Sequence, residues 1–512
     1  RWDTGGSVGG FSPLSTPPAG ETLAQLNSNN LTTPDPTLQP GVYHPRIPRY
    51  SKLAYDQDRI GLTGSVQWAP NSANSLNLDV LYSDFKVKRD ENYLEAFSFS
   101  RNASQFGKPA TILQQGIVDG NKTLVYGLFD GVDMRTENRH DEFVTKFEEA
   151  TLTGSHELTD RLTIDESLGY QKSDFNNPIQ TTITLDRQNS NGYSWDFRGS
   201  NRLPALSYGF DVTDPNNWQF SNAGNAAGGQ SEIRLRPNTV VDTFKTANLN
   251  STFKATDRLS VRGGLEYKKF GFDTTEQRRA SETSVPVLPA GVTLASVTKL
   301  TTCCSGLNLP AGTPTTWLIA DINSFNQLFN IYSNSGTFAV TGISNTAARG
   351  NNRGVQEEDE GAYGQVNFNF EAGIPFRGDV GVRYVKTKQS SYGYVVTTAV
   401  QRAEAEHDYS DVLPALNVVA EFQPDLLLRL GLAKVMARPS LAQVTPGGTI
   451  NTVGNLSVST GNPLLDPIRA KTADLSLEWY FAQGSLLSGA VFYKDIDSFV
   501  QTLTTNQVFN TT

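Results

Sequence analysis

Apolar and polar residues alternate along this chain in one recurring unit: about ten residues of period two, a short polar turn, then about ten more. In the first copy Ile60, Leu62, Val66 and Trp68 share one side, while Arg59, Thr63, Ser65 and Gln67 share the other. After residues 70–74 the pattern resumes as Leu76, Leu78, Val80 and Tyr82. The second copy sets Ala150, Leu152 and Leu158 before Thr159-Asp160-Arg161, then Leu162, Ile164, Leu168 and Tyr170; His156 and Glu166 interrupt its apolar side. The third repeats the turn as Thr256-Asp257-Arg258, between Leu249 and Phe253 on one arm and Leu259, Val261, Leu265 and Tyr267 on the other. Three further copies turn near Pro375, at Gln423-Pro424-Asp425 and at Gln483-Gly484. The alternation predicts about twelve strands in six hairpins, each strand apolar on one face only.

The connections are unequal. Turns within a pair are short, whereas the links between pairs, near 90–140, 176–243, 273–358, 389–408 and 437–472, are long and polar. Structureless links of that length argue against an ordinary compact domain. A transmembrane barrel accommodates them at one rim, because a bilayer core satisfies backbone N–H and C=O groups only in a closed sheet. From Leu162 to Tyr170 the chain rises roughly 26 Å, which at a tilt of about 40° spans the apolar band. Aromatic residues mark both limits: Trp68, Phe253, Phe370, Phe422 and Trp479 near the short turns, and Tyr82, Tyr170, Tyr267, Tyr384 and Tyr493 near the long links. A secreted sandwich or propeller also alternates, but its strands are shorter and a propeller keeps a fixed blade period. The expected fold class is all-β: an antiparallel up-and-down transmembrane barrel with long outer loops, residues 1–58 forming a lead-in and 59–512 a partial barrel.

Composition fits this reading. Over 512 residues only 38% are apolar, and the mean hydropathy is −0.37, as expected where strands are greasy on one face and loops are polar. No run of 18 apolar residues is present, so no ordinary transmembrane helix is expected. The charge is 43 − 52 = −9 with basic residues clustered only in pairs, which excludes a nucleic-acid footprint. The two cysteines, Cys303 and Cys304, are adjacent: either a vicinal disulfide or two thiols.

From about Tyr409 onward the chain resembles the TonB-dependent outer-membrane receptors, especially the large proteobacterial branch associated with carbohydrate uptake. The resemblance rests on LPALNVVAEFQPDLLLRLGLAKVMARPSL with its Arg438-Pro439 strand exit, on GNPLLDP at 461–467, and on DLSLEWYF followed by VFYKDIDSFV. RIGLTGSVQWAP and LDVLYSDF look like earlier strands of the same barrel. It implies a Gram-negative outer-membrane receptor within a barrel of twenty-two strands, whose plug and energy-coupling box are not recognisable in 1–58 and whose last strands are missing. It further implies TonB-energised uptake of a bulky, scarce small-molecule ligand, with the inner-membrane TonB complex acting through the plug and outer-membrane lipids around the wall. A non-transporting barrel or surface adhesin is the alternative of another class.

Chemistry-bearing motifs are sparse, and no catalytic residue, cofactor or metal site is expected. Gly5-Gly6-Ser7-Val8-Gly9 matches G-x-S-x-G without the strand and helix it needs. His44, His140, His156 and His407 stand singly, at expected loop or rim positions, and Glu357-Glu358-Asp359-Glu360 reads as a solvated strand approach rather than a calcium site. Arg262, Glu266, Arg383, Arg429, Asp474 and Glu478 fall on the polar face, where they either hold the plug or wet the lumen. Tyr193, Trp195 and Trp218, among amides of the second long link, are the candidate ligand contacts, since sugar faces stack on rings and sugar hydroxyls pair with amides. An oligosaccharide is therefore the expected ligand; a ferric siderophore, which favours arginine clusters, is the runner-up.

Overall fold

A computed structural model of the chain describes residues 44–45, 47–97, 99, 111–121, 123–200, 202–221, 231–396, 399–451 and 457–505, with short strand pieces at 2–3, 24–25 and 31–33. Among these, twelve long strands form one antiparallel sheet in sequence order. They are β1 (Arg49–Asn71), β2 (Asn74–Ala96), β3 (Val132–Thr159), β4 (Leu162–Ser190), β5 (Asn238–Thr256) and β6 (Leu259–Glu276). β7 (Arg353–Glu371), β8 (Pro375–Val396), β9 (Val400–Gln423), β10 (Leu426–Ala437), β11 (Ile468–Ala482) and β12 (Ser485–Ile496) follow. β1 begins inside the stretch read as lead-in. Each neighbour is a hairpin partner or the next hairpin's first strand, and no pairing of β1 with β12 closes the sheet among the described residues.

The short turns form for local reasons. The Thr159 hydroxyl accepts from the backbone N–H of Arg161 and Leu162, and Thr256 accepts from Arg258 in the same way, so the repeated Thr-Asp-Arg text builds the same turn twice. Each turn carries a register shift beside it, between Glu157 and Thr159 and between Lys254 and Thr256. At the last hairpin Gly484 takes φ +73°, a conformation that costs a side-chain-bearing residue energy.

The apolar face is bare, as a lipid-facing surface must be. Ile60, Leu168, Val382 and Leu477 stand exposed on it, and Leu265 reaches 61% exposure. Such a band would be an aggregation surface in water, whereas in lipid it is matched.

The strands are longer than the band requires. Twenty-three residues in β1 rise about 76 Å against an apolar band of about 25 Å. The links expected to be loops are therefore partly tall hairpins. The 389–408 link is a continued ladder in which Val396 pairs with Val400, and 176–190 and 90–96 are ladder as well.

One irregularity reorganises the outer half. Glu142 of β3 pairs with Ile179 but Val144 pairs with Asn176, so β4 carries one extra residue around Asn177-Pro178. Proline has no N–H to give the ladder and is tolerated at such a bulge. Below it the even-numbered residues of β4 lie on the apolar face; above it the odd-numbered ones do.

Over this outer half the apolar face is covered. The links pack onto it as a cap with its own core, whose sheet includes Leu124–Asp130, Tyr193–Asp196 and Ala205–Ser207, joined by the hairpin of Thr298–Thr302 with Thr316–Ala320 and the helix Ile322–Phe329. The cap core includes Trp195, Trp317 and Phe129 and closes over Tyr50, Leu94, Met134, Ile183 and Leu185 from the wall. Polar anchors fix the contact: Asn138 Nδ2 donates to Ala320 O at 2.8 Å and Thr301 Oγ1 donates to Asn92 Oδ1 at 3.0 Å.

Candidate functional site

The face opposite the apolar band carries the candidate chemistry. Arg383 Nη1 lies 3.4 Å from Glu266 Oε2, and Arg429 Nε lies 2.9 Å from Glu478 Oε1, so four of the six charges read from the sequence are spent on ion pairs within the wall. Arg262 and Asp474 have no ion-pair partner among the described residues. Arg262 lines, with Glu266 and Arg383, an open cleft of about 710 Å³.

The three rings expected to meet a ligand lie elsewhere. Tyr193 and Trp195 are fully buried and Trp218 is 4% exposed, all within the cap core. Trp195 Nε1 donates to Leu124 O at 3.0 Å and Trp218 Nε1 to Val212 O at 3.1 Å, which satisfies both indoles inside the protein. The expectation of a ligand platform is corrected to that of a core. These aromatics join the cap to the outside of the wall, on the far side from the lumen, and a ligand there would have to displace their packing.

On the lumen side of the same strand tops, five strands contribute to a second cleft of about 180 Å³. One row runs Glu91 (β2), Arg139 (β3), Thr182 (β4) and Arg234 of the short strand Ile233–Leu235, adjacent by register. Arg49 and Arg236 complete the cationic lining and Glu137 adds a carboxylate. Each guanidinium is paired with an acid, although Asp141 also holds Arg89 at 2.7 Å and Glu137 also faces Arg135 at 3.9 Å. Arg49 pairs with Glu95 at 3.0 Å, Arg139 with Asp141 at 2.9 Å, Arg234 with Glu137 at 3.4 Å, and Arg236 holds Glu282 through two bonds of 2.6 Å. The floor is neutral: Thr182 is 5% exposed, and neither its hydroxyl nor the Gln180 amide has a hydrogen-bond partner among the described residues. Period-two charge, as in Arg135-Glu137-Arg139-Asp141 and Glu232-Arg234-Arg236, was the signal in the sequence that could have found this wall.

The remaining candidates resolve individually. The acidic run splits between faces. Glu357 and Asp359 are buried against Arg438 at 3.0 and 2.7 Å, while Glu358 and Glu360 pair on the other face with Lys269 at 2.5 Å and Lys388 at 3.1 Å. Half of the run is therefore a buried anchor for the strand exit at Arg438 rather than a solvated approach. Burial pushes the Glu357 carboxyl up to about 7, against the pull of the Arg438 charge. His140 meets Asp90 at 2.8 Å, a bond that raises its pKa, and His407 meets Asp466 at 3.1 Å. His44 is not a rim residue: its ring stacks on Trp195 at 6.4 Å, and burial lowers its pKa. Among the described residues no three His, Cys, Asp or Glu side chains gather in a metal-binding group. Cys303 and Cys304 are bonded to each other, in the cap. Residues 5–9, with the G-x-S-x-G match, lie outside the described residues.

Three comparisons bear on kinship. The model of the family described as "TonB dependent receptor-like, beta-barrel" matches residues 304–512. No curated protein matches the chain. Among solved structures, the ferric yersiniabactin uptake receptor FyuA from Yersinia pestis is similar at 9% identity and TM-score 0.38, over 86% of this chain and 54% of that one. The ferric-catecholate import receptor Fiu from E. coli K12 is similar at 10% identity and TM-score 0.39, over 92% and 62%. The siderophore receptor PiuA from Acinetobacter baumannii is similar at 12% identity and TM-score 0.35, over 92% and 61%. The chain thus spans between about half and three-fifths of the length of these three structures. The last two-fifths of the chain, residues 304–512, thus match the β-barrel of the TonB-dependent receptor-like family, on a sheet with one bare apolar face and one charged face.

Proposed function

We propose that this chain forms the wall of a receptor that takes up a bulky, scarce ligand with energy delivered by the inner-membrane TonB complex through a plug seated in the lumen. The observation that carries this reading is the charged face itself. It runs from Arg262, Arg429 and Glu478, near the short turns, through Glu266 and Arg383 to the cleft at Thr182 near the outer rim. A wall that only displayed loops would have no need of a wet, charged path along its whole height. Arg262 and Asp474, the two charges without a partner in the wall, are the ones left to contact a plug.

An oligosaccharide is the preferred ligand, now on the strength of the Arg–Glu lattice rather than of the cap aromatics. A ferric siderophore is the second reading, favoured by four arginines around one cleft. Deleting the gene and measuring uptake, with and without the TonB complex, tests the proposal: uptake lost in both deletions supports it. Unchanged uptake without TonB, in a protein that still mediates surface attachment, would leave the adhesin alternative. Induction by iron starvation rather than by a glycan would move the ligand to the siderophore class.

A further inference from the structure

The apolar face ends differently at its two limits. From the tyrosines down to the short turns, no lysine or arginine stands on that face of the twelve strands. At and just past the tyrosines, lysines line it. Lys172, Lys269 and Lys386 follow Tyr170, Tyr267 and Tyr384 by two positions, and Lys245 lies opposite Tyr170 with its ammonium 6.0 Å from the ring centroid. Two pairs stand directly across from each other on neighbouring strands: Lys245 with Lys269, and Lys434 with Lys471. Like charges in direct cross-strand register repel and destabilise the sheet unless an anion lies between them. Lys269 finds relief in Glu358. Lys245, Lys434 and Lys471 have no ion-pair partner among the described residues, although Asp495 stands across from Lys471 in register.

We propose that these two lysine pairs are clamps for lipid headgroups in the leaflet at the long-link rim, each pair sharing one phosphate monoester. The inference goes beyond the uptake reading and rests only on the apolar face meeting lipid. Depth selects a lipid: tyrosine rings sit at the headgroup level of a bilayer, so ammonium groups beside them reach the plane of the lipid phosphates. Charge selects the monoester. At pH 7 it carries about −1.5 to −2 and three acceptor oxygens, enough to accept from two ammonium groups at once and to cancel both charges. A phosphodiester brings a single charge and leaves half of the repulsion in place, and a zwitterionic lipid adds a cation of its own to the same plane. Glu358 already takes part of the charge at Lys245–Lys269, so Lys434–Lys471 is the stronger clamp. The short-turn end has no such pair, and the wall therefore treats the two leaflets differently.

The test uses the full-length receptor in phosphate-free detergent, with bound molecules counted by native mass spectrometry. Phosphatidic acid is the monoester lipid, phosphatidylglycerol the diester lipid and inorganic phosphate the lipid-free probe. The expected result is retention of phosphatidic acid that K434Q/K471Q weakens about thirtyfold and K245Q about fivefold, one lysine at a membrane surface being worth about 1 kcal/mol. K254Q, on the lumen face near a short turn, should retain it as the wild type does. Without lipid, K434Q/K471Q should melt no lower than the wild type, because it loses a repulsion; this separates loss of the clamp from loss of the fold, and a lower melting temperature would remove the repulsion on which the clamp rests. Equal retention of phosphatidylglycerol and phosphatidic acid, retention unchanged in both lysine variants, or inorganic phosphate binding as tightly as phosphatidic acid would overturn the proposal.

Discussion

His156 and Glu166, the two polar residues on the apolar side of the second hairpin, meet there: His156 Nε2 lies 2.9 Å from Glu166 Oε1, and His156 Nδ1 lies 2.7 Å from Asn74 Oδ1 near the turn. Gly154 makes the room, because a side chain at that position would collide with the Glu166 carboxylate. The pair predicts unequal single variants. H156L strands a carboxylate against lipid and is expected to lower unfolding free energy by about 1–2 kcal/mol; E166L leaves an imidazole that can be neutral and costs less. The double variant H156L/E166L should recover to wild type or above, measured by denaturant unfolding in lipid vesicles. Additive losses would show that the two residues do not act as a pair.

Replacement of a buried cap residue should damage the cap and spare the wall. W195A removes a fully buried indole that touches Phe99, Phe129 and Tyr193, and is expected to cost about 3–5 kcal/mol of local stability. Hydrogen exchange should then rise in 193–221 and 285–340, with protection unchanged in β10 to β12.

Plug retention should depend on the unpaired lumen charge rather than the paired ones. R262E is expected to release a separately expressed plug from the barrel. R429E, which breaks the bond to Glu478 within the wall, should have the smaller effect. Unchanged retention in both would return these residues to simple lumen solvation.

The Glu357 anchor gives a pH dependence of definite sign. Its folded pKa, about 7, lies above the unfolded carboxylate value, so the folded state holds the proton more tightly. The stability it contributes is fully present below about pH 4.5 and is lost as pH rises through about 7. The outer end of β7 should therefore exchange amide hydrogen more readily at pH 8 than at pH 5 after correction for intrinsic rates, and E357Q should flatten that difference. A rise in protection with pH would contradict the assignment.

The membrane half of the fold was legible because lipid enforces period two: Leu259, Val261 and Leu265 had to share a face, and the identical Thr-Asp-Arg turns placed the hairpin ends. Beyond the tyrosines that enforcement stops. At 91–96 and 181–190 both faces are covered by protein or water, so the alternation fades, and the tall ladders read as loops. The aromatic trio misled for a related reason. Composition shows that rings are present, but not which side of a wall they cover, and the bulge in β4 reverses the sides. The cleft was hidden because Arg49, Glu91, Arg139, Thr182 and Arg234 come together only through register across five strands.

That single extra residue at Asn177-Pro178 has a wider consequence. It uncouples the phase of β4 inside the membrane from its phase outside, so the two halves of the strand answer to separate constraints. Deleting one residue there would leave Leu168 and Tyr170 in the lipid while turning Ile183 and Leu185 toward the lumen and Thr182 into the cap. A length change of one residue at this point would thus exchange the lumen-side surface for the cap's foundation without moving any residue below it.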